Sequence, residues 1–210
     1  MRRIKKGQEP PSLAAWKALA NEVWTPTYRI LQNPQKRDLH LSLLMEQGFT
    51  CCYCGREIGL DDSHIEHFRP RSRYRDLELD YENLHASCLR EVHPGTPSIC
   101  GHLKDERFDE ESFLSPLESG IEERFSYTLT GEAVPQDEAA QTMVDALGFN
   151  KPFLTSRREE ALQGVFDADF LNSATRSEIS NIAIQFRCFG EDGKLRSFFH
   201  VVARFADELL

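Results

Sequence analysis

The chain has 210 residues, 40% of them hydrophobic and 28% charged, and a formal net charge of −9, an ordinary composition for a folded protein. No apolar run approaches the roughly 20 residues needed to cross a bilayer. The basic start Met1-Arg2-Arg3-Ile4-Lys5-Lys6 leads into residues 7–12 rather than a secretory apolar stretch, so a cytoplasmic protein is expected.

Residues 1–12 read as a basic lead-in, flexible until bound. Leu13, Trp16, Leu19, Ala20 and Val23 repeat at helical spacing, with Ser12 as N-cap and Pro26 as terminator. Asn33-Pro34 reads as a second N-cap followed by proline at the first helical position. That helix runs through Leu39, Leu43 and Leu44 and stops at Gly48, just before a cysteine-rich stretch from Cys51 to Lys104. Beyond it, residues 113–117 read as extended. Phe125, Tyr127 and Leu129 alternate before the turn Thr130-Gly131-Glu132, which predicts a hairpin. A helix is expected from Asp137 to Gly148, then helices over 153–171, 175–189 and 195–210. Cys188 reads as a buried apolar residue.

Charge is unevenly placed. Residues 105–138 hold eleven acids and two bases, whereas residues 1–75 hold thirteen bases and eight acids. An acidic protein can therefore keep a basic face for phosphate. The acidic belt reads as a solvated surface or a dock for a basic partner.

In a reducing compartment the six cysteines point to thiolate ligands rather than disulfides. Cys51-x-x-Cys54 places two thiolates on one tight turn, the knuckle that tetrahedral zinc prefers, and Cys88 and Cys100 can supply the second pair. Cys52 is the packed residue between. Eleven residues separate Cys88 from Cys100, so His93 and His102 stand as alternative fourth ligands. Between the pairs lies His64-Ile65-Glu66-His67. Phosphodiester hydrolysis needs a base for water and a cation for the developing charge. His67 suits the base and Glu66 a hard divalent cation. Asn83 offers a carbonyl to that ion or a hydrogen bond fixing the loop behind His67. Adjacent strand residues face opposite ways, so Glu66 and His67 converge only at a strand end or bulge, and the competing arrangement pairs His64 with Glu66 as ligands. Arg69, Arg71, Arg73 and Arg75 alternate and could line one edge for substrate phosphates. His40, His85 and His93 stay unassigned.

The order CxxC, HxEHFxPxS, NL, then C…C with Lys104 following resembles the HNH nucleases with a ββα-metal (His-Me finger) core. The resemblance implies an α+β fold in which Cys51, Cys54, Cys88 and Cys100 bind structural zinc. It makes Glu66 the acidic ligand of a catalytic Mg²⁺ or Mn²⁺, His67 the general base and Asn83 the central asparagine at the start of the following helix. His102 is the candidate third histidine. Two departures stand out: Glu66 occupies a position usually held by Asp, and an insert precedes Cys100. Phe113-Leu114-Ser115-Pro116-Leu117, Phe125-Ser126-Tyr127, Thr130-Gly131-Glu132, Leu147-Gly148-Phe149-Asn150 and Arg157-Arg158 extend the likeness to the PtuB family, the HNH subunits of Septu anti-phage systems. That likeness spans about residues 40–165. It implies a PtuA-like ABC/SMC-type ATPase partner, sometimes an associated retron, and action on nucleic acid, with DNA favoured.

Three regions are expected: an N-terminal lead-in with helices (1–47), the zinc-stapled nuclease core (48–110), and a hairpin plus helical region for partner binding (111–210). The reading from another class is a non-catalytic zinc module that binds nucleic acid or a protein. A hydrolase acting at the cysteine metal is disfavoured, because four thiolates leave zinc no open position.

Overall fold

The computed structural model describes residues 1–91 and 94–210, in which short helices alternate with two small hairpins. Helix α1 spans Pro11–Lys17 and is shorter than its hydrophobic pattern predicts. Ser12 lies inside it, Pro10 holds the N-cap position, and Val23 is 95% exposed. The cause is local: the Asn21 side chain accepts from the backbone N–H groups of Val23 and Trp24, an alternative to helix that asparagine readily offers. Helix α2 (Gln35–Glu46) buries Leu39, Leu43 and Leu44, and Pro34 rather than Asn33 is its N-cap.

The knuckle at residues 51–54 follows. Strand β1 (Ser63–His67) then pairs antiparallel with β2 (Leu84–Cys88), Ser63 opposite Cys88 and His67 opposite Leu84. Between the strands, a 3-10 turn at Tyr81–Asn83 is capped by Asp80, whose carboxylate accepts from the Glu82 N–H. Helix α3 (Cys100–Lys104) packs on β2 and completes a ββα unit.

The second hairpin, β3 (Phe125–Tyr127) with β4 (Ala133–Pro135), forms where alternation predicts it. Helix α4 (Glu138–Leu147) starts on Asp137, which accepts from the Ala140 N–H. The single helix expected over 153–171 is two, α5 (Pro152–Gln163) and α6 (Ala168–Ser173), because Asp167 caps a new start by accepting from the Phe170 N–H. Helix α7 (Arg176–Arg187) opens with a reciprocal Thr175–Glu178 cap and packs on α8 (Phe199–Glu208). No helix among the described residues is long and apolar enough to cross a membrane.

One apolar core joins residues from the first position to α8. Helix α8 seats directly on the knuckle: Phe198 N–H donates to the Gly55 carbonyl at 2.7 Å, and the His200 ring fills the space a side chain at Gly55 would need. Gly55 also has φ +73°, so glycine is required there on both counts. The lead-in is not a free arm. Met1 and Ile4 are buried, the Met1 ammonium donates to Tyr127 Oη at 3.1 Å, and Ile4 N–H donates to the Pro116 carbonyl. Apolar side chains at positions 1 and 4 override the disorder that the flanking bases suggest. Cys188 is exposed rather than buried, because α7 ends there with its Sγ donating to the Ile184 carbonyl.

Candidate functional site

The knuckle, the end of β2 and the first residue of α3 bring four sulfurs together. Cys51, Cys54, Cys88 and Cys100 are all buried, with their Sγ atoms within 4.8 Å of one another. Cys54 and Cys88 sulfurs stand 3.7 Å apart, and a tetrahedral site with Zn–S near 2.3 Å needs about 3.8 Å. The donor set therefore fits zinc. Cys88 N–H also donates to Cys51 Sγ at 3.4 Å, supporting a thiolate there. Burial opposes ionisation of Cys51, but sulfur hydrogen bonds led by Cys100 pull its thiol well below the ordinary range. Cys100 completes the cluster from φ +52°, a left-handed conformation that costs a non-glycine residue roughly 1–2 kcal/mol. Cys52 is packed beside the cluster without joining it. His93 lies outside the described residues, and His102 donates elsewhere.

The second centre lies along β1. Glu66 is buried, and its Oε1 accepts from Tyr53 Oη at 3.0 Å and pairs with Lys104 Nζ at 3.0 Å. Lys104, itself fully buried, also donates to the His67 carbonyl at 3.1 Å. Burial raises the Glu66 pKa, but His64 and Lys104 together hold it below the usual carboxylate range. Its other oxygen, Oε2, faces His64 Nε2 at 3.4 Å. His64 Nδ1 lies 2.5 Å from the Leu89 carbonyl, which can only accept, so Nδ1 carries the proton. In the neutral tautomer a lone pair on Nε2 then confronts a carboxylate oxygen. That arrangement requires a proton or a cation. Burial works against the proton, yet the Glu66 carboxylate and the Leu89 carbonyl raise the His64 pKa. Ligand atoms at right angles around a small hard cation stand about 3 Å apart, so this pair can hold one. Gly101 makes the room, since a Cβ there would lie 2.5 Å from Glu66 Oε2 and 2.7 Å from His64 Nε2. His102 stands beside the pair, its ring 4.4 Å from that of His64 and its Nε2 2.8 Å from the same Leu89 carbonyl.

His67 ends the strand. Its Nε2 lies 3.0 Å from the Glu78 carbonyl, so Nε2 bears the proton and Nδ1 is the basic nitrogen. The Tyr28 ring meets it edge-on at 4.5 Å. Burial is the main reason its pKa falls to about 4, with the nearby Arg71 charge adding to the effect. The imidazole is thus neutral and able to accept a proton at pH 7.

Two expectations change. Asn83 lies in the turn before β2, not at the start of a helix, and its amide is committed to the loop. Its Oδ1 accepts from the Arg69 N–H at 2.7 Å, and Nδ2 donates to the Arg69 and Leu77 carbonyls at 3.0 and 3.1 Å. It fixes the exit from β1 behind His67; the side chain that faces Glu66 Oε2 is His64. The four alternating arginines split into two pairs. Arg69 pairs with Glu110 at 3.0 Å, and Arg73 donates to the Glu106 and Phe108 carbonyls, so the acidic belt uses both internally. Arg71 and Arg75 line a shared cavity near His67. Sequence reasoning passed over Tyr53 and the role of Lys104. Position inside the CxxC was the one local signal for Tyr53, while Lys104 acts through a tertiary closure that spacing does not encode.

Residues 51–90 match the HNH endonuclease family model. The chain is also 27% identical over 145 residues to a Vibrio cholerae serotype O1 biovar El Tor protein named "Retron Vc95 putative HNH endonuclease", an alignment covering 64% of this chain and 68% of that one. The sulfur clamp, the β1–β2 hairpin and the family match coincide on one stretch: this chain carries an HNH endonuclease domain.

Proposed function

We propose that the protein hydrolyses phosphodiester bonds in nucleic acid, DNA in preference to RNA, with His67 as general base. The observation that carries this reading is the orientation of His67: the Glu78 carbonyl holds Nε2 and leaves Nδ1 as the proton acceptor on a buried, neutral ring. In this scheme Nδ1 takes a proton from water as its oxygen attacks phosphorus and the bond to the leaving oxygen breaks. Glu66 Oε2 and His64 Nε2 would hold a Mg²⁺ or Mn²⁺ ion, which when bound neutralises charge on the phosphate and the leaving oxygen. Tyr53 and Lys104 keep Glu66 from turning away, and Asn83 holds the loop behind His67. His102, next to His64, fits the third histidine of the family pattern. Zinc in the four-cysteine clamp staples the fold.

The likeness to the retron protein and to Septu HNH subunits supports a role in cytoplasmic anti-phage defence. In that setting an ABC/SMC-type, PtuA-like ATPase is the partner, a retron the associated element, and residues 111–210 the docking region.

The test is cleavage of DNA and RNA by the zinc-loaded chain after EDTA treatment and addition of Mg²⁺ or Mn²⁺. His67→Ala should lower the rate about 10²–10⁴-fold with zinc content and thermal midpoint unchanged. Undiminished cleavage by that variant would overturn the assignment. Nucleic-acid binding with no cleavage under any metal, by the chain alone or with its partner, would favour the non-catalytic module.

A further inference from the structure

Two cavities meet the chain around Tyr28, whose ring contacts His67. One, of about 420 Å³, is lined by Arg29, Arg71 and Arg75. The other, of about 600 Å³, is lined by Lys36, Arg37 and Arg90 and reaches His64. Tyr28 joins them: the Arg71 guanidinium stands 5.1 Å from its ring centre, the Lys36 ammonium 5.2 Å, and the ring edge abuts His67. Acids share this path: Glu78, which accepts from the Tyr28 N–H, and Glu106, which accepts from Ser72, line the first cavity, and Asp61, in a loose 3.9 Å contact with Arg90, lines the second, so each cavity keeps an excess of cations over acids. Lys36 and Arg37 are exposed, and neither forms an ion pair among the described residues.

We propose that the segment from Tyr28 to Arg37, outside the HNH core, forms the second wall of the substrate groove, with Lys36 and Arg37 holding backbone phosphates on the His64 side of the scissile bond and Arg71 and Arg75 on the other. A cation row of this kind positions a polyanion without reading its bases. The chemistry fits a polynucleotide strand better than a small phosphate ester, because there are two separate cationic cavities, one lined by Thr27 and Arg29 and the other by Tyr28 and His64. Tyr28 carries two cations on its ring and rests against the base, so it also couples strand seating to the orientation of His67. The inference rests on the nuclease reading above and extends it to residues of the N-terminal region.

The experiment measures binding of labelled single-stranded and duplex DNA across a salt series by the full chain, together with steady-state cleavage. It compares wild type, Lys36→Ala/Arg37→Ala, and a control, Arg176→Ala/Lys194→Ala, whose cations lie outside both cavities. The groove variant should bind more weakly, and the slope of log K against log salt should fall by about one per lost phosphate contact. KM should rise with kcat retained, while the control pair stays at wild-type values. Unchanged slope and KM in the groove variant, with zinc content and thermal midpoint also unchanged, would overturn the proposal. So would an equal loss in the control pair, since binding would then follow net charge alone. If Lys36→Ala/Arg37→Ala misfolds, Lys36→Gln alone carries the same test, with a slope change of about one. A wild-type chain that cleaves while the groove variant behaves identically sinks only this inference. A wild-type chain that neither binds nor cleaves sinks the nuclease reading itself.

Discussion

The sulfur clamp and the Glu66–His64 pair lie in one stretch of chain, yet they are built on opposite plans. The clamp is closed: four buried sulfurs face one another within 4.8 Å, with the buried Ser87 Oγ 3.7 Å from Cys51 Sγ. The carboxylate centre is open on one side only. Glu66 Oε1 is saturated by Tyr53 and Lys104, while Oε2 looks across at a histidine lone pair over a residue that has no side chain. A closed soft-donor site favours structure, and an open hard-donor site favours chemistry. On the proposed reading, the contrast would keep a zinc in the clamp and a hard cation at Glu66 from exchanging places.

Breaking the clamp should have the largest effect. Cys51→Ser removes one thiolate from a site whose metal-linked folding free energy is on the order of 10 kcal/mol. The expected outcome is a chain without stoichiometric zinc and without cooperative thermal unfolding, read by metal analysis and calorimetry. Breaking the saturated side of the other centre should cost less. Lys104→Met leaves the buried Glu66 carboxylate without its cation, a loss of about 3–5 kcal/mol in urea denaturation, with zinc retained. Tyr53→Phe removes only a hydrogen bond to the same oxygen and should cost about 1.5–3 kcal/mol, together with weaker metal activation of cleavage. If Tyr53→Phe left the metal dependence of cleavage untouched, the link between the two centres would be lost.

The gentlest probe is pH. His85 and His200 are fully buried, and burial pushes both well below the ordinary histidine range. Below about pH 6.5 the unfolded chain binds protons that the folded chain refuses, so stability falls as pH drops through that value. In His85→Leu the fall should be shallower by about 1.4 kcal/mol per pH unit, one proton's worth, as measured by urea midpoints between pH 7 and 5.

The legible parts were those in which chemistry is local. The CxxC spacing, the i, i+2 relation of His64 and Glu66, and the alternation of Phe125 and Tyr127 each act over a few residues. Cys100 was harder, because its arrival depends on how the chain returns from β2 and on a left-handed backbone at that residue. The early end of α1 hung on one asparagine side chain, and the anchoring of Met1 on a tyrosine 126 positions away. The arginine row misled because alternation fixes which side a residue takes but not which carboxylate waits there. Arg69 found Glu110 in the acidic belt, and the path along Tyr28, Lys36 and Arg37 had no local motif to announce it.

Tyr53 stands between two zinc-type ligands and reaches Glu66 with its hydroxyl, which constrains how this chain can change over generations. A lineage that abandoned the clamp would lose more than a staple, for the knuckle turn is also what aims the phenol at the carboxylate. Inserting a residue between Cys52 and Cys54 would shift the tyrosine even if both sulfurs found their places again. The CxxC spacing thus sets two things at once, the approach of two clamp sulfurs and the reach of the Tyr53 phenol to Glu66.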